Sequence, residues 1–379
     1  MRRLLVFMVC LALLTALPLF AQADPVAGSQ SALDFIAAQP DDVAVLCIPS
    51  DAAGEIAHNA EVPFALASTF KIIVLAELAR QLDAGLIDPD EAVSVSEVDA
   101  YWLPATDGGG HPQFISFLGA ERETATLREI AYGMIRFSSN AAADYLTVRL
   151  GYDGYAELYQ TLGLESTQFV TGTLLGLYLV LENHETGPAD VTALDAETFA
   201  AESTRLTDLF LNDPTWRTFE LADLGARQTA AQAAVAAGDL ALIQAEYDRQ
   251  AAFVERFGIR GSARDMLRVM AAAYGGETFS DEAQALMRGV LNWLMDLNPA
   301  NREVYSHLGN KGGSWASVLT GTWYAQPIGA EPTLLAVFYR NLPLPLWSNW
   351  LSNGAHQLLE LRAFAFGEGC GVFAAALGQ

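Results

Sequence analysis

Val43-Ala44-Val45-Leu46-Cys47-Ile48 and Leu334-Leu335-Ala336-Val337-Phe338-Tyr339 are two short apolar runs, one near each end of the chain, and their separation decides the fold. Such runs bounded by turn residues read as strands. The first is stopped by Pro49-Ser50-Asp51 and resumes from about Glu55 to His58 after Gly54, which predicts a hairpin. The second follows two further strand patterns, Val304 to Lys311 and Val318 to Ala325, separated by turns containing Gly or Pro. Between the ends the spacing is helical. Ile72, Leu75, Ala76 and Ala79 mark a first long helix from Ser68 to about Leu82, with Gly85 as its stop. Residues 127–297 read mostly as helices, and 191–258, rich in Ala, Gln and Glu, reads as an inserted helical hairpin. A last amphipathic helix is expected from about Ser352 to Phe364. Strands at both ends with helices between them predict an α+β fold: one antiparallel sheet built from both chain termini, flanking helices and an inserted all-α domain.

The chain is 52% hydrophobic and 17% charged, enough apolar material for a sizeable core and too little charge for disorder. Its net charge of -24 excludes a nucleic-acid binder, which needs a basic footprint. The imbalance reflects missing bases. Nineteen arginines accompany two lysines, Lys71 and Lys311, so arginine serves wherever any positive charge suffices. A lysine amine can give up its proton in a suitable environment and a guanidinium cannot, which makes the two lysines candidates for chemistry.

Arg2 and Arg3 precede the uncharged stretch Leu4 to Phe20 and then Ala21-Gln22-Ala23, the pattern of a secretory leader. A mature chain beginning at Asp24, secreted or periplasmic and without an integral membrane domain, is the expectation; an uncleaved anchor is the alternative. Cys10 does not resemble a lipoprotein cysteine. Cys47 and Cys370 would then lie in an oxidising compartment, either bridged or as two buried thiols. No zinc-type spacing surrounds them, so no metal and no cofactor is expected. Gly108-Gly109-Gly110 reads as a flexible rim and His111 as an ordinary loop residue.

Three groups could do chemistry. Ser68 and Lys71 stand three apart at the head of the first long helix, on one face, where an amine can take the hydroxyl proton and leave an alkoxide. Ser138-Ser139-Asn140 offers a hydroxyl and an amide from a turn between helices, a placement that helix capping would also explain. Lys311-Gly312-Gly313-Ser314 closes a predicted strand, where small residues let a substrate lie against the edge; a plain turn reads equally.

Taken together, Ser68-Thr69-Phe70-Lys71, Ser138-Ser139-Asn140 and Lys311-Gly312-Gly313 resemble the Ser-x-x-Lys, Ser-Asp-Asn and Lys-Thr-Gly elements of class A β-lactamases and penicillin-binding proteins. Both lysines fall on lysine positions of that pattern. The resemblance implies that Ser68 is the acylated nucleophile, Lys71 its proton acceptor and Ser138 the hydroxyl that returns a proton to the leaving nitrogen. It further implies that Asn140 holds a substrate amide, Lys311 attracts a substrate carboxylate, Gly313 keeps the strand edge clear, and the N–H groups of Ser68 and Ser314 form an oxyanion hole. The departures are specific. Ser139 replaces a buried carboxylate and Gly312 a hydroxyl. Val170 to Tyr178 carries no carboxylate where class A enzymes have the glutamate that activates the deacylating water, and Glu165 and Glu182 only flank it. The expected protein is a secreted serine hydrolase acting through acyl-Ser68 on a β-lactam or related amide, with a small-molecule or peptidoglycan-type substrate. A D,D-peptidase or esterase, or a catalytically silent scaffold for a protein partner, is the alternative.

Overall fold

Five strands form one antiparallel sheet in a computed structural model that describes residues 24–50, 54–119 and 121–379; the leader expected over residues 1–23 lies outside them. The strands are β1 (Val43–Ile48), β2 (Ile56–His58), β3 (Tyr305–Trp315), β4 (Val318–Pro327) and β5 (Thr333–Tyr339), in the order β2-β1-β5-β4-β3. The last three make a meander, and the N-terminal hairpin joins it by pairing Val45 with Val337 and Cys47 with Leu335. Every residue of β5 is buried, which explains its unbroken apolar run. Cys47 is disulfide-bonded to Cys370, so the two ends of the chain are also tied covalently. The α+β expectation holds.

Helices cover both faces. They are α1 (Pro25–Ala38), α2 (Lys71–Asp83), α3 (Gly110–Leu118), α4 (Leu127–Arg136), α5 (Asn140–Leu150), α6 (Leu174–Leu181), α7 (Ala196–Asn212), α8 (Pro214–Ala237), α9 (Leu240–Phe257), α10 (Ala263–Ala272), α11 (Asp281–Leu291), α12 (Leu344–Asn353), α13 (Ala355–Arg362) and α14 (Gly371–Leu377), with further helices between some of them. α1 packs against α13 and α14, and α10 packs on β4 and β5. α2 is the central helix: Lys71 through Ala79 are all buried, as befits a helix enclosed by α4, α5, α10 and α11.

Four local features differ from the sequence expectation. α1 was not anticipated; Asp24 caps it by accepting from the Val26 and Ala27 N–H groups. The helix expected from Ser352 to Phe364 is two helices, because Gly354 (φ 70°) ends α12 in a left-handed turn. Residues 191–258 contain three helices: α8 and α9 form the hairpin, while α7 packs on α6. Leu179, Leu206, Phe210 and Phe253 give this layer its own apolar cluster, which reaches the sheet at Trp315 and Val318. Finally, β3 does not stop at Lys311: Gly312 pairs with Gly321 and Gly313 with Thr320, so the strand runs on to Trp315.

Candidate active site

Ala67 to Phe70 form a 3-10 turn that feeds directly into α2, placing Ser68 at the mouth of a cleft and Lys71 at its buried floor. Ala67 takes a left-handed conformation (φ 44°). Lys71 Nζ lies within hydrogen-bonding distance of four oxygens: Ser68 Oγ at 3.1 Å, Ser138 Oγ at 3.2 Å, the Ser138 carbonyl at 2.6 Å and Asn140 Oδ1 at 2.7 Å. From the opposite wall Lys311 Nζ, on edge strand β3, donates to Ser138 Oγ at 3.1 Å and to the Gly312 carbonyl at 2.6 Å. Ser138 itself is left-handed (φ 57°), a conformation disfavoured for a residue with a Cβ. The bond from Lys71 to its carbonyl helps hold it there.

The structure therefore gathers Ser68, Lys71, Ser138, Asn140 and Lys311 into one hydrogen-bonded group, with Gly313 and Ser314 lining the same cleft. Gly313 is required sterically: a Cβ on it would come within 2.6 Å of the Ser68 nitrogen and 2.7 Å of the Leu66 carbonyl. Asn140 is committed at both ends, since its Nδ2 donates to the Thr106 carbonyl at 3.0 Å. Tyr178 donates to the same carbonyl at 2.8 Å, and its ring stacks on Trp315 with centroids 4.4 Å apart, closing the cleft between α6 and the end of β3.

Among the described residues, Asp107 is the one acid lining this cleft. Its oxygens accept from the Gly109 and His111 N–H groups. Glu165 is exposed and Glu182 pairs with Arg249 at 2.6 Å; neither lines the cleft. In the stretch without the expected glutamate, residues 174–181 form α6, which offers Leu174, Leu177 and Tyr178 instead. Beneath it Asp144 accepts from the Leu174 and Leu175 N–H groups, both at 2.7 Å. Burial pushes the Asp144 carboxyl up to about 7, against the opposing pull of those two donors and of Lys71.

Two readings from the sequence are corrected here. Gly108-Gly109-Gly110 does line the cleft, but as the start of a helix: Asp107 accepts from the Gly109 N–H and Gly110 opens α3. His111 is not an ordinary loop residue: it is 1% exposed, with Nδ1 2.9 Å from Ser139 Oγ and Nε2 2.8 Å from Asp99 Oδ1. The Asp107-Gly-Gly-Gly-His spacing could have signalled the capped turn, but no local pattern links His111 to Asp99 or Ser139.

Residues 29–320 match the β-lactamase enzyme family. The chain belongs to that family. Among solved structures, the β-lactamase of Sphaerobacter thermophilus is 17% identical with a TM-score of 0.52, over 90% of this chain and 98% of that one. A double mutant of the class A β-lactamase of the last common ancestor of Gram-negative bacteria is 12% identical with a TM-score of 0.51, over 88% and 97%. At these identities the likeness to this β-lactamase-family chain is one of fold. No curated protein sequence matches it significantly.

Proposed function

We propose that this β-lactamase-family protein is a serine hydrolase that acts on an amide, a β-lactam or a peptidoglycan-type peptide, through an acyl-Ser68 intermediate. The observation that carries this reading is the path Ser68 Oγ–Lys71 Nζ–Ser138 Oγ–Lys311 Nζ, each link between 3.1 and 3.2 Å. In its neutral form Lys71 takes the Ser68 proton as the oxygen attacks the carbonyl carbon. The N–H groups of Ser68 and Ser314 receive the charge that develops on the carbonyl oxygen. The proton passes to Ser138 and from it to the leaving nitrogen as the C–N bond breaks, while Lys311 holds Ser138 and attracts a carboxylate on the substrate.

Hydrolysis of the acyl-enzyme needs a water stripped of a proton. Among the described residues the cleft offers no carboxylate for this task other than Asp107, which is spent on capping N–H groups. That favours slow deacylation and a peptidase-like or penicillin-binding behaviour over rapid β-lactam turnover. Export to an oxidising compartment fits the Cys47–Cys370 bridge together with the leader read from the sequence.

The test is to mix residues 24–379 with a penicillin and a chromogenic cephalosporin, following intact mass and absorbance, with Ser68→Ala as control. The expected result is a lasting adduct on Ser68 with little colour change. Rapid colour development would make the protein a β-lactamase proper, and no adduct with either compound would overturn the acyl-Ser68 reading for β-lactams.

A further inference from the structure

We propose that Asp99, Gly110 and His111 form a brace that sets the backbone of Ser138, which makes His111 a positioning residue for the proton delivered to the leaving nitrogen. The inference rests on the acyl-Ser68 reading and extends it to residues outside the three motifs. Its starting point is that Ser138 is left-handed while Ser139 beside it is extended (φ -53°, ψ 121°) as the cap of α5. A short loop with such a reversal needs external support.

That support comes from the segment 99–111. Ser139 Oγ accepts from the Ala142 N–H at 3.1 Å, so its own proton is available to His111 Nδ1 at 2.9 Å. The imidazole then carries its proton on Nε2 and donates to the Asp99 carboxylate at 2.8 Å. In this arrangement each of the three contacts has one donor and one acceptor. The ring is held from its sides by Trp102 and Phe114, with centroids 5.6 and 6.3 Å away. Gly110 completes the contact: a Cβ there would come within 2.2 Å of the Phe137 carbonyl oxygen, so the start of α3 presses directly on the peptide that precedes Ser138. The His111 ring meets the loop through Ser139, and it acts through that residue. Ser139 occupies the place of the carboxylate expected from the family pattern, and the imidazole supplies from another segment the bracing that a carboxylate would give locally.

The test separates positioning from general destabilisation by the leaving group. Amide nitrogen must be protonated to leave, whereas p-nitrophenolate leaves as the anion. Acylation of Ser68 by a penicillin and by p-nitrophenyl acetate is followed by stopped flow and intact mass for the wild type, His111→Leu, His111→Asn and Asp99→Asn. The expected result is a fall of about 10- to 100-fold for His111→Leu with the penicillin and of about 3-fold or less with the ester. His111→Asn, whose carboxamide can reach Ser139, regains most of the loss. Equal losses on both probes, or none, would overturn the brace. Asp99 is 46% exposed on its side chain, so Asp99→Asn serves if His111→Leu does not fold, with the same split at smaller amplitude. A crystal structure of His111→Asn or His111→Leu gives an answer independent of turnover. The Ser138–Lys311 bond should be kept in the Asn protein and lost in the Leu protein, and Ser138 unmoved in the Leu protein sinks the proposal even if Ser68 proves unreactive. Absence of any acylation in the wild type would instead reject the acyl-Ser68 reading.

Discussion

Gly313 stands directly against Ser68: a Cβ on the strand glycine would lie 2.6 Å from the backbone nitrogen of the serine. Strand and helix turn meet without a side chain between them, which is what an N–H aimed into a cleft beside β3 requires. Replacing the glycine by alanine forces the turn away from the strand. Gly313→Ala is expected to lower Ser68 acylation by about 100-fold, the scale for loss of one oxyanion donor, with the far-UV spectrum unchanged. Acylation within a few-fold of wild type would show that the Ser68 N–H has no part in the reaction.

The two lysines invite a paired experiment. Lys71 is proposed to accept a proton, and Lys311 to hold Ser138 and supply charge. Arginine keeps the charge but cannot accept a proton at any working pH. Lys71→Arg should therefore lose about 100-fold or more in acylation rate, whereas Lys311→Arg should lose about 10-fold or less. Pre-steady-state labelling with a fluorescent penicillin measures both. Equal losses would remove the distinction between the two roles.

How much of this was legible in the sequence follows from which contacts are local. Ser68 and Lys71 could be paired by helical spacing alone, and Ser138 with Asn140 by their separation in one turn. That Lys311 bonds Ser138 across the cleft depends on β3 pairing with β4, and β3 continues through two glycines that locally read as a turn. The bond from His111 to Ser139 spans 28 residues with no periodic signature, so the imidazole passed for a loop residue. The place of α6 in the cleft wall was not legible for another reason. Its residues are mostly apolar, and its start is fixed by Asp144, thirty residues away on α5. The sheet, by contrast, was readable because β1 and β5 from Leu334 onward are unbroken apolar runs.

The bridge between Cys47 and Cys370 closes a loop of 323 residues. Long loops lose the most unfolded-state entropy on cross-linking. The double variant Cys47→Ser/Cys370→Ser is expected to lose about 3–5 kcal/mol in urea denaturation, with α14 detaching before the rest. A loss below about 1 kcal/mol would show that sheet pairing and the packing of α14 on α1 and β2 hold the two ends together without the bridge.

Glu360 gives a pH dependence whose sign can be worked out. It lies 1% exposed against Gly321, with a bond of 2.6 Å from Trp323 Nε1 to Oε2. Burial pushes its carboxyl from the ordinary 4.5 up to about 8, the Trp323 bond opposing. Between those values the unfolded chain has released a proton that the folded protein retains, so stability falls as pH rises, by about 1.4 kcal/mol per unit. Asp144 contributes in the same direction only up to about 7. His356, one turn away on α13, contributes the opposite slope: burial lowers it from 6.5 to about 3, so its stabilising share is lost as pH falls through that window and is constant above it. From pH 7 to 8 the decline therefore belongs to Glu360 among these three groups. Glu360→Gln, whose carboxamide oxygen can still accept from Trp323, should flatten that decline in urea denaturation at pH 6, 7 and 8. A wild-type stability that rises over the interval, or a Gln variant that keeps the full slope, would show that the carboxyl ionises in the folded protein much as it does in water.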